Sequence, residues 1–230
     1  MEMAVKNLLK ALAAFVTLFL SASAFAATAW QEGVNYSLVE NMPRSGAAPG
    51  QIEVVEVFSY GCPACNVFAP TVRKLRQSLP ANVKFGFVPA SFNVAEDWPM
   101  LQRAFCTAQL LGVADKTHDA MFDAIWKTGE LSLVDPSTGQ LKHPLPTIED
   151  AARFYNKHAG VKVADFVAMA NSMSIDIKMK DADAYVRLYR VDHTPTIVVN
   201  NKYRTDPQMA GGNPQLVELV TWLVAKETKK

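Results

Sequence analysis

The chain has 230 residues, 50% of them hydrophobic and 20% charged, enough for a substantial core in one large or two small domains. Taking Lys6, Lys10 and Glu2 of the leader described next from 23 basic and 22 acidic residues leaves 21 of each. That neutral balance argues against nucleic acid or an anionic membrane surface as a partner.

Lys6 and Lys10 precede an apolar run at 11–20, broken only by Thr17, and then Ser21-Ala22-Ser23-Ala24-Phe25-Ala26-Ala27. A charged start, a short apolar stretch and an A-x-A site at Ala24-Phe25-Ala26 predict a removed signal peptide over 1–26 and a mature start at Ala27. A run of about ten residues is too short for a bilayer-spanning helix, which needs about twenty. Export places the cysteines in an oxidising compartment, with a bacterial periplasm the natural one.

Positions 36–40 alternate enough for an edge strand, 41–51 are turn-rich with Pro43, Gly46, Pro49 and Gly50, and 52–58 form an apolar strand. Cys62-Pro63-Ala64-Cys65 follows at once and leads into a helix whose Val67, Phe68, Val72, Leu75 and Leu79 recur at helical spacing, with Pro70 expected to kink it. A strand feeding two cysteines into the first turn of a helix is the layout of a dithiol redox site. Only the thiolate attacks a disulfide, and the unpaired N–H groups and positive end of a helix stabilise a thiolate there. Cys62 is expected to be the exposed attacking sulfur, with Cys65 one turn later, partly covered and placed to resolve a mixed disulfide.

Half of a zinc site and a purely structural cystine are the competing readings. Beyond this pair the chain offers only Cys106 and His118, His143, His158 and His193, with no H-x₃₋₅-H spacing, so no metal is expected. A cystine closing a two-residue gap would constrain little chain entropy.

Positions 83–89 predict another strand, and the β-α-β order of largely apolar strands implies parallel pairing beneath helices. From Trp98 to Val191 helix follows helix: a stripe from Met100 to Leu111 ending near Gly112, another from Ala120 to Ile125 ending near Gly129, a third opened by Thr147 and Asp150 as a capping box and stopped at Gly160, then 163–173 and 176–189. The segment 131–146 reads as a short hairpin or loop with a turn at Asp135-Pro136-Ser137-Thr138-Gly139. A strand at 196–199 turns at Asn200-Asn201 into a return strand at 202–204, and Asn213 and Pro214 open a final amphipathic helix. Cys106 is expected to pack as a small buried hydrophobe, with pairing between molecules the alternative.

These pieces resemble the thioredoxin fold with an inserted helical domain, as in the DsbA family of thiol:disulfide oxidoreductases. The markers are Phe58-Ser59-Tyr60-Gly61-Cys62-Pro63-Ala64-Cys65, Val191-Asp192-His193-Thr194-Pro195-Thr196 and Val199-Asn200-Asn201-Lys202-Tyr203. The resemblance implies an α/β fold with a thioredoxin-like domain in two parts, 27–97 and 191–230, around a helical domain at 98–190. It assigns Thr194 and a cis Pro195 to face the cysteines and offer backbone to an extended substrate, beside Pro63 and Ala64. It makes Glu56 a buried acid beneath the sulfurs; in so apolar a strand a carboxylate must pair or titrate, unless it points to solvent at the sheet edge.

One departure is Ala64. The best-known DsbA sites have Pro-His between the cysteines, where the His stabilises the first thiolate, so here the helix terminus must do more. His193 could approach the cysteines through space or be a surface histidine.

The implied activity is a periplasmic disulfide oxidase that donates its Cys62-Cys65 disulfide to exported proteins with free thiols. It would work as a monomer without metal or organic cofactor and be reoxidised by a DsbB-like quinone-linked membrane partner. An exported reductase, or a peptide-binding folding helper with an inert disulfide, are the alternatives. An isomerase is not expected, because about 35 residues before Cys62 leave no room for a dimerisation domain.

Overall fold

A computed structural model describes residues 30–39 and 50–228. The expected leader at 1–26, Glu40, and the turn-rich positions 41–49 lie outside the described residues.

The sheet grows from β2, Ile52–Phe58, a Val-rich run buried at every position except Glu53. β-branched side chains suit a pleated surface, and a strand covered on both faces reads as near-continuous apolar sequence. After the helix α1, Pro63–Ser78, the chain returns as β3, Val83–Pro89, which pairs parallel with β2 in the register Ile52 with Val83 and Phe58 with Pro89. α1 continues through Pro70 to its end. β1, Ser37–Leu38, β4, Thr196–Val199, and β5, Tyr203–Thr205, complete a sheet in the order β1-β5-β4-β2-β3. Every pairing other than β2 with β3 is antiparallel.

Five helices lie between β3 and β4: α2, Trp98–Leu110, α3, Ala114–Trp126, α4, Ile148–Ala159, α5, Val163–Ala170, and α6, Met173–Leu188. α4 opens with the anticipated capping box, in which the Thr147 side chain accepts from Asp150 N–H and the Asp150 side chain accepts from Thr147 N–H, and it ends at Gly160 with φ 73°. α3 starts six residues before the stripe that opens at Ala120, and its first turn buries Ala114 and Thr117. α5 stops at Ala170 rather than 173, and α6 begins at Met173 rather than 176. The segment 131–142 is a narrow hairpin-like excursion with one bridge, Val134 with Leu141, so both sequence readings of it were partly right.

A short helix, α7, Pro207–Ala210, was not expected from sequence; Asp206 caps it by accepting from Met209 N–H at 2.8 Å, ahead of a proline at the first helical position. The last helix, α8, Asn213–Thr228, packs on β2, β4 and α1, while α2 and α6 pack on β3. Strand alternation sends Val57 to one face, where it meets Val186, Tyr189, Val191 and Val198. Val54, Glu56 and Phe58 point to the other. Among the described residues no helix is long and apolar enough to cross a membrane.

Candidate active site

The redox pair sits where β2 hands over to α1. Cys62 is the N-cap of α1, with extended backbone at φ −83° and ψ 118°, and Pro63 takes the first helical position, where its missing N–H leaves nothing unpaired. Cys62 Sγ accepts from the Cys65 N–H at 3.4 Å, the place a Ser or Asp oxygen occupies in an ordinary cap. Cys62 N–H in turn donates to the Ser59 carbonyl at 3.2 Å.

Both cysteines are free thiols in the structure, and both are buried. The expectation of an exposed Cys62 is corrected: the residue is 5% exposed. The reason is the segment before β4, whose Thr194 carbonyl comes to 3.4 Å from Cys62 Sγ and accepts its proton when it carries one. The Thr194–Pro195 peptide bond is cis, as the family resemblance implied. Pro63 and Ala64 are exposed, so a reacting sulfur must come over the rim they form.

The two sulfurs differ sharply in acidity. Cys62 is lowered from 9.0 to about 6, chiefly because the Cys65 thiol donates to it; burial works the other way, and contacts from Thr194 and the backbone N–H groups of Cys65 and Ala64 add to the lowering. The Thr194 carbonyl favours the protonated sulfur, so what Thr194 adds to the lowering comes from its side chain, beside the Cys65 thiol and the helix N–H groups. Cys65 is pushed well above its ordinary value by burial, by its role as donor to Cys62, and by the charge of Glu56. One sulfur is thus prepared to be a thiolate and its neighbour to hold a proton.

Glu56 lies in the sheet interior at 2% exposure, which excludes the alternative that it points to solvent. Burial pushes its carboxyl well above the usual range, the Cys62 charge adds to this, and the Arg76 guanidinium opposes it. His193 is engaged elsewhere than at the sulfurs: Nδ1 meets Asp192 at 2.7 Å and Nε2 meets Asp206 at 3.2 Å. Those carboxylates explain why a histidine so near in sequence to Thr194 does not take the place a Pro-His motif would fill. Cys106 packs in the core at 1% exposure, and burial raises its thiol to about 11.

Three residues that sequence reasoning left without a role, Trp98, Trp126 and His118, hold the redox loop at Tyr60 and Gly61. Gly61 sits so close to Trp98 that a Cβ there would lie 2.5 Å from the indole Nε1. Trp126 Nε1 donates to the Tyr60 carbonyl at 2.8 Å. At its other end Tyr60 meets His118 Nδ1 at 3.0 Å. His118 is lowered to about 3 by burial and then by the Arg76 charge, so its ring is neutral and the contact fits Tyr60 O–H donating to Nδ1. α3 therefore grips Tyr60 at both ends, two residues before Cys62, within a cluster that also holds Phe58, Phe87, Phe105 and Phe122.

Beside the pair runs a groove of about 360 Å³, lined by Gly61 and Pro63 of the redox loop, by Ile125 and Trp126 of α3, and by Ser132, Leu133, Val134, Pro136 and Leu141 of the segment after it. Glu96 also lines it.

Comparison with known proteins places this arrangement. No family model matches the chain. The thiol:disulfide interchange protein DsbA of Pseudomonas aeruginosa is 36% identical over 221 residues, covering 96% of this chain and 95% of that protein. The protein of the same name from Azotobacter vinelandii is 35% identical over 181 residues, covering 79% of this chain and 77% of that one. The crystal structure of Pseudomonas aeruginosa DsbA superposes with a TM-score of 0.73 at 35% identity, covering 87% of this chain and 96% of that one. The oxidoreductase DsbA of Xylella fastidiosa gives 0.72 at 30% identity, covering 85% and 96%. With the fold, the redox pair and relatives of this identity over nearly its whole length in agreement, the chain belongs to the DsbA family of thiol:disulfide interchange proteins.

Proposed function

We propose that the chain is a periplasmic disulfide donor in which Cys62 is the sulfur attacked by exported substrates. The observation that carries this reading is the asymmetry of the pair: Cys62 lowered to about 6, and Cys65 beside it buried and held as a thiol.

In the disulfide form, a substrate thiolate attacks Cys62 Sγ; the substrate–Cys62 bond forms, the Cys62–Cys65 bond breaks, and Cys65 leaves as a thiolate that takes up a proton. Glu56, buried on the same side of the sheet, is the carboxyl suited to hand it over. A second substrate thiolate then attacks the substrate sulfur of the mixed disulfide, and Cys62 leaves as a thiolate. Two electrons pass from substrate to protein. A leaving thiolate already stable near pH 6 leaves readily, and stabilising the dithiol form makes the couple oxidising. Thr194 offers its backbone to the extended substrate beside the rim of Pro63 and Ala64.

The cycle needs no metal or organic cofactor in this chain. Reoxidation falls to a DsbB-like quinone-linked membrane protein, and the chain works as a monomer. The family and the leader read at 1–26 support the periplasmic setting.

The test is equilibrium of the Cys106→Ala variant with a glutathione buffer. A potential well above the roughly −270 mV of thioredoxin establishes a donor, and a thioredoxin-like value overturns it in favour of a reductase. Cys65→Ser should accumulate mixed disulfides on Cys62. Turnover surviving Cys62→Ser would instead point to a redox-inert peptide-binding helper.

A further inference from the structure

His193 takes no part in the chemistry of the two sulfurs, yet its ring ties the segment that covers Cys62 to a distant part of the chain. We propose that His193 and Asp206 form a clasp that holds the Thr194 carbonyl over Cys62, which makes His193 a positioning residue for exchange. The clasp keeps small reagents off the sulfur and presents the backbone of Thr194 to a polypeptide. This rests on Cys62 being the sulfur that substrates attack.

The anchor is Asp206, whose side chain is only 6% exposed. Each of its oxygens has a separate task. Oδ1 accepts from Met209 N–H at 2.8 Å and opens α7, while Oδ2 lies 3.2 Å from His193 Nε2. A carboxylate only accepts, so the ring nitrogen that meets it is the donor. α7 is itself fastened to the sheet: Asn35 Nδ2 donates to the Met209 carbonyl at 3.0 Å, and Thr205 Oγ1, at the end of β5, donates to the Asn35 carbonyl at 2.7 Å. Asp192, which meets Nδ1 at 2.7 Å, is the adjacent residue and its side chain is 82% exposed, so it steers the ring without anchoring the loop.

From the ring the backbone runs directly to the sulfur. The His193 carbonyl accepts from Thr196 Oγ1 at 2.9 Å, which fixes the entry to β4, and the next carbonyl, that of Thr194, lies 3.4 Å from Cys62 Sγ. One peptide unit, about 3.8 Å between Cα atoms, therefore separates the clasp from the contact that leaves Cys62 covered. With the ring released, nothing in the side chain of His193 ties this loop to α7. The Thr194 carbonyl is then free to swing, which opens Cys62 to small molecules and blurs the backbone edge that an extended substrate must meet. Ordering that edge in advance spares a polypeptide the entropy of ordering it on arrival.

The experiment takes the Cys106→Ala protein and measures alkylation of its dithiol form by iodoacetamide, and single-turnover reduction of its disulfide form by a one-cysteine peptide or by dithiothreitol. At pH 8, well above the value of about 6 for Cys62, the alkylation rate reads access to that thiolate, because Cys65 is buried and held as a thiol. His193→Ala should be alkylated about threefold faster, the scale of a half-exposed ion pair. Its ratio of peptide rate to dithiothreitol rate should fall by a similar factor; because both reductants are run on one sample, a partly unfolded fraction cancels. His193→Gln, whose amide can donate to Asp206, should return both readings toward wild type. Asp206→Ser keeps a hydroxyl cap for α7 but is too short to meet the ring, so it should behave as His193→Ala does, and adding His193→Ala to it should change nothing more. A contact that merely stabilises the fold would lower the denaturant midpoint of His193→Ala and leave both readings where they were, which overturns the clasp. Effects of the two substitutions that simply add overturn it as well. A wild type that neither dithiothreitol nor the peptide reduces overturns exchange at Cys62 instead, and the alkylation rates then decide the clasp alone.

Discussion

Ala64 leaves the first turn of α1 without the side-chain partner that a histidine would give Cys62, yet the Cys65 thiol and the N–H groups of Cys65 and Ala64 lower that thiol without one. Titrating the thiolate absorbance of the reduced protein should show one transition centred near pH 6, with the second thiol silent until strongly alkaline pH. Ala64→His should move the first midpoint down by about one unit or less, since position 64 is exposed and its charge is partly screened by solvent. A midpoint near 9 in the wild type would remove the basis for an oxidising couple. Glu56 titrates in the opposite sense. With its folded value raised, it contributes its full stability at pH below the ordinary carboxylate range and loses it as pH rises through the raised value. Glu56→Gln should therefore melt at a higher temperature than wild type at pH 8 and match it at pH 4. If Glu56 supplies the proton to Cys65, the same variant should react with substrate thiols on the order of tenfold more slowly.

At the scale of elements, the handover from β2 to α1 depends on packing that begins outside both. Gly61→Ala would drive a Cβ to 2.5 Å from Trp98 Nε1 and push the indole off Glu96, an overpacking expected to cost about 1–3 kcal/mol in a denaturant melt. Thr147→Ala, which removes the capping box of α4 far from the sulfurs, should cost about 1 kcal/mol and leave the Cys62 midpoint where it was. The same contrast explains what was legible beforehand. β2 and β3 were readable to the residue because a Val-rich run and a run of Val and Phe, each bounded by turn formers, admit little else, and Asn200 and Asn201 adopt the expected left-handed turn at φ 51° and 54°. Cys62 and Cys65 announce themselves by spacing alone. Tyr60, His118 and Trp126 do not, because their contacts span 58 and 66 residues and no local period encodes them. Nor did periodicity anticipate the burial of Cys62, since the covering carbonyl of Thr194 comes from 132 residues away.

For the whole molecule, the acidity of one sulfur becomes a difference in stability between two redox forms. Cys62 titrates only as a thiol, so its contribution exists in the dithiol form and vanishes in the disulfide form. Its folded value is depressed from 9.0 to about 6; the stabilisation is therefore complete above the ordinary thiol range and is lost as pH falls through about 6. At pH 7 one unit separates the solution from the folded value, which limits the contribution to about 1.4 kcal/mol. Glu56 offsets part of this, because the Cys62 charge that raises it is present only in the dithiol form. Denaturant melts of both forms from pH 5 to pH 8 should show the dithiol gaining on the disulfide as pH rises, and the gain should be larger in Glu56→Gln, where the opposing carboxylate is gone. A gap that is flat across this range in both proteins would mean that the dithiol draws no stability from the Cys62 thiolate, and any oxidising power of the chain would then have to come from strain or packing in the disulfide form.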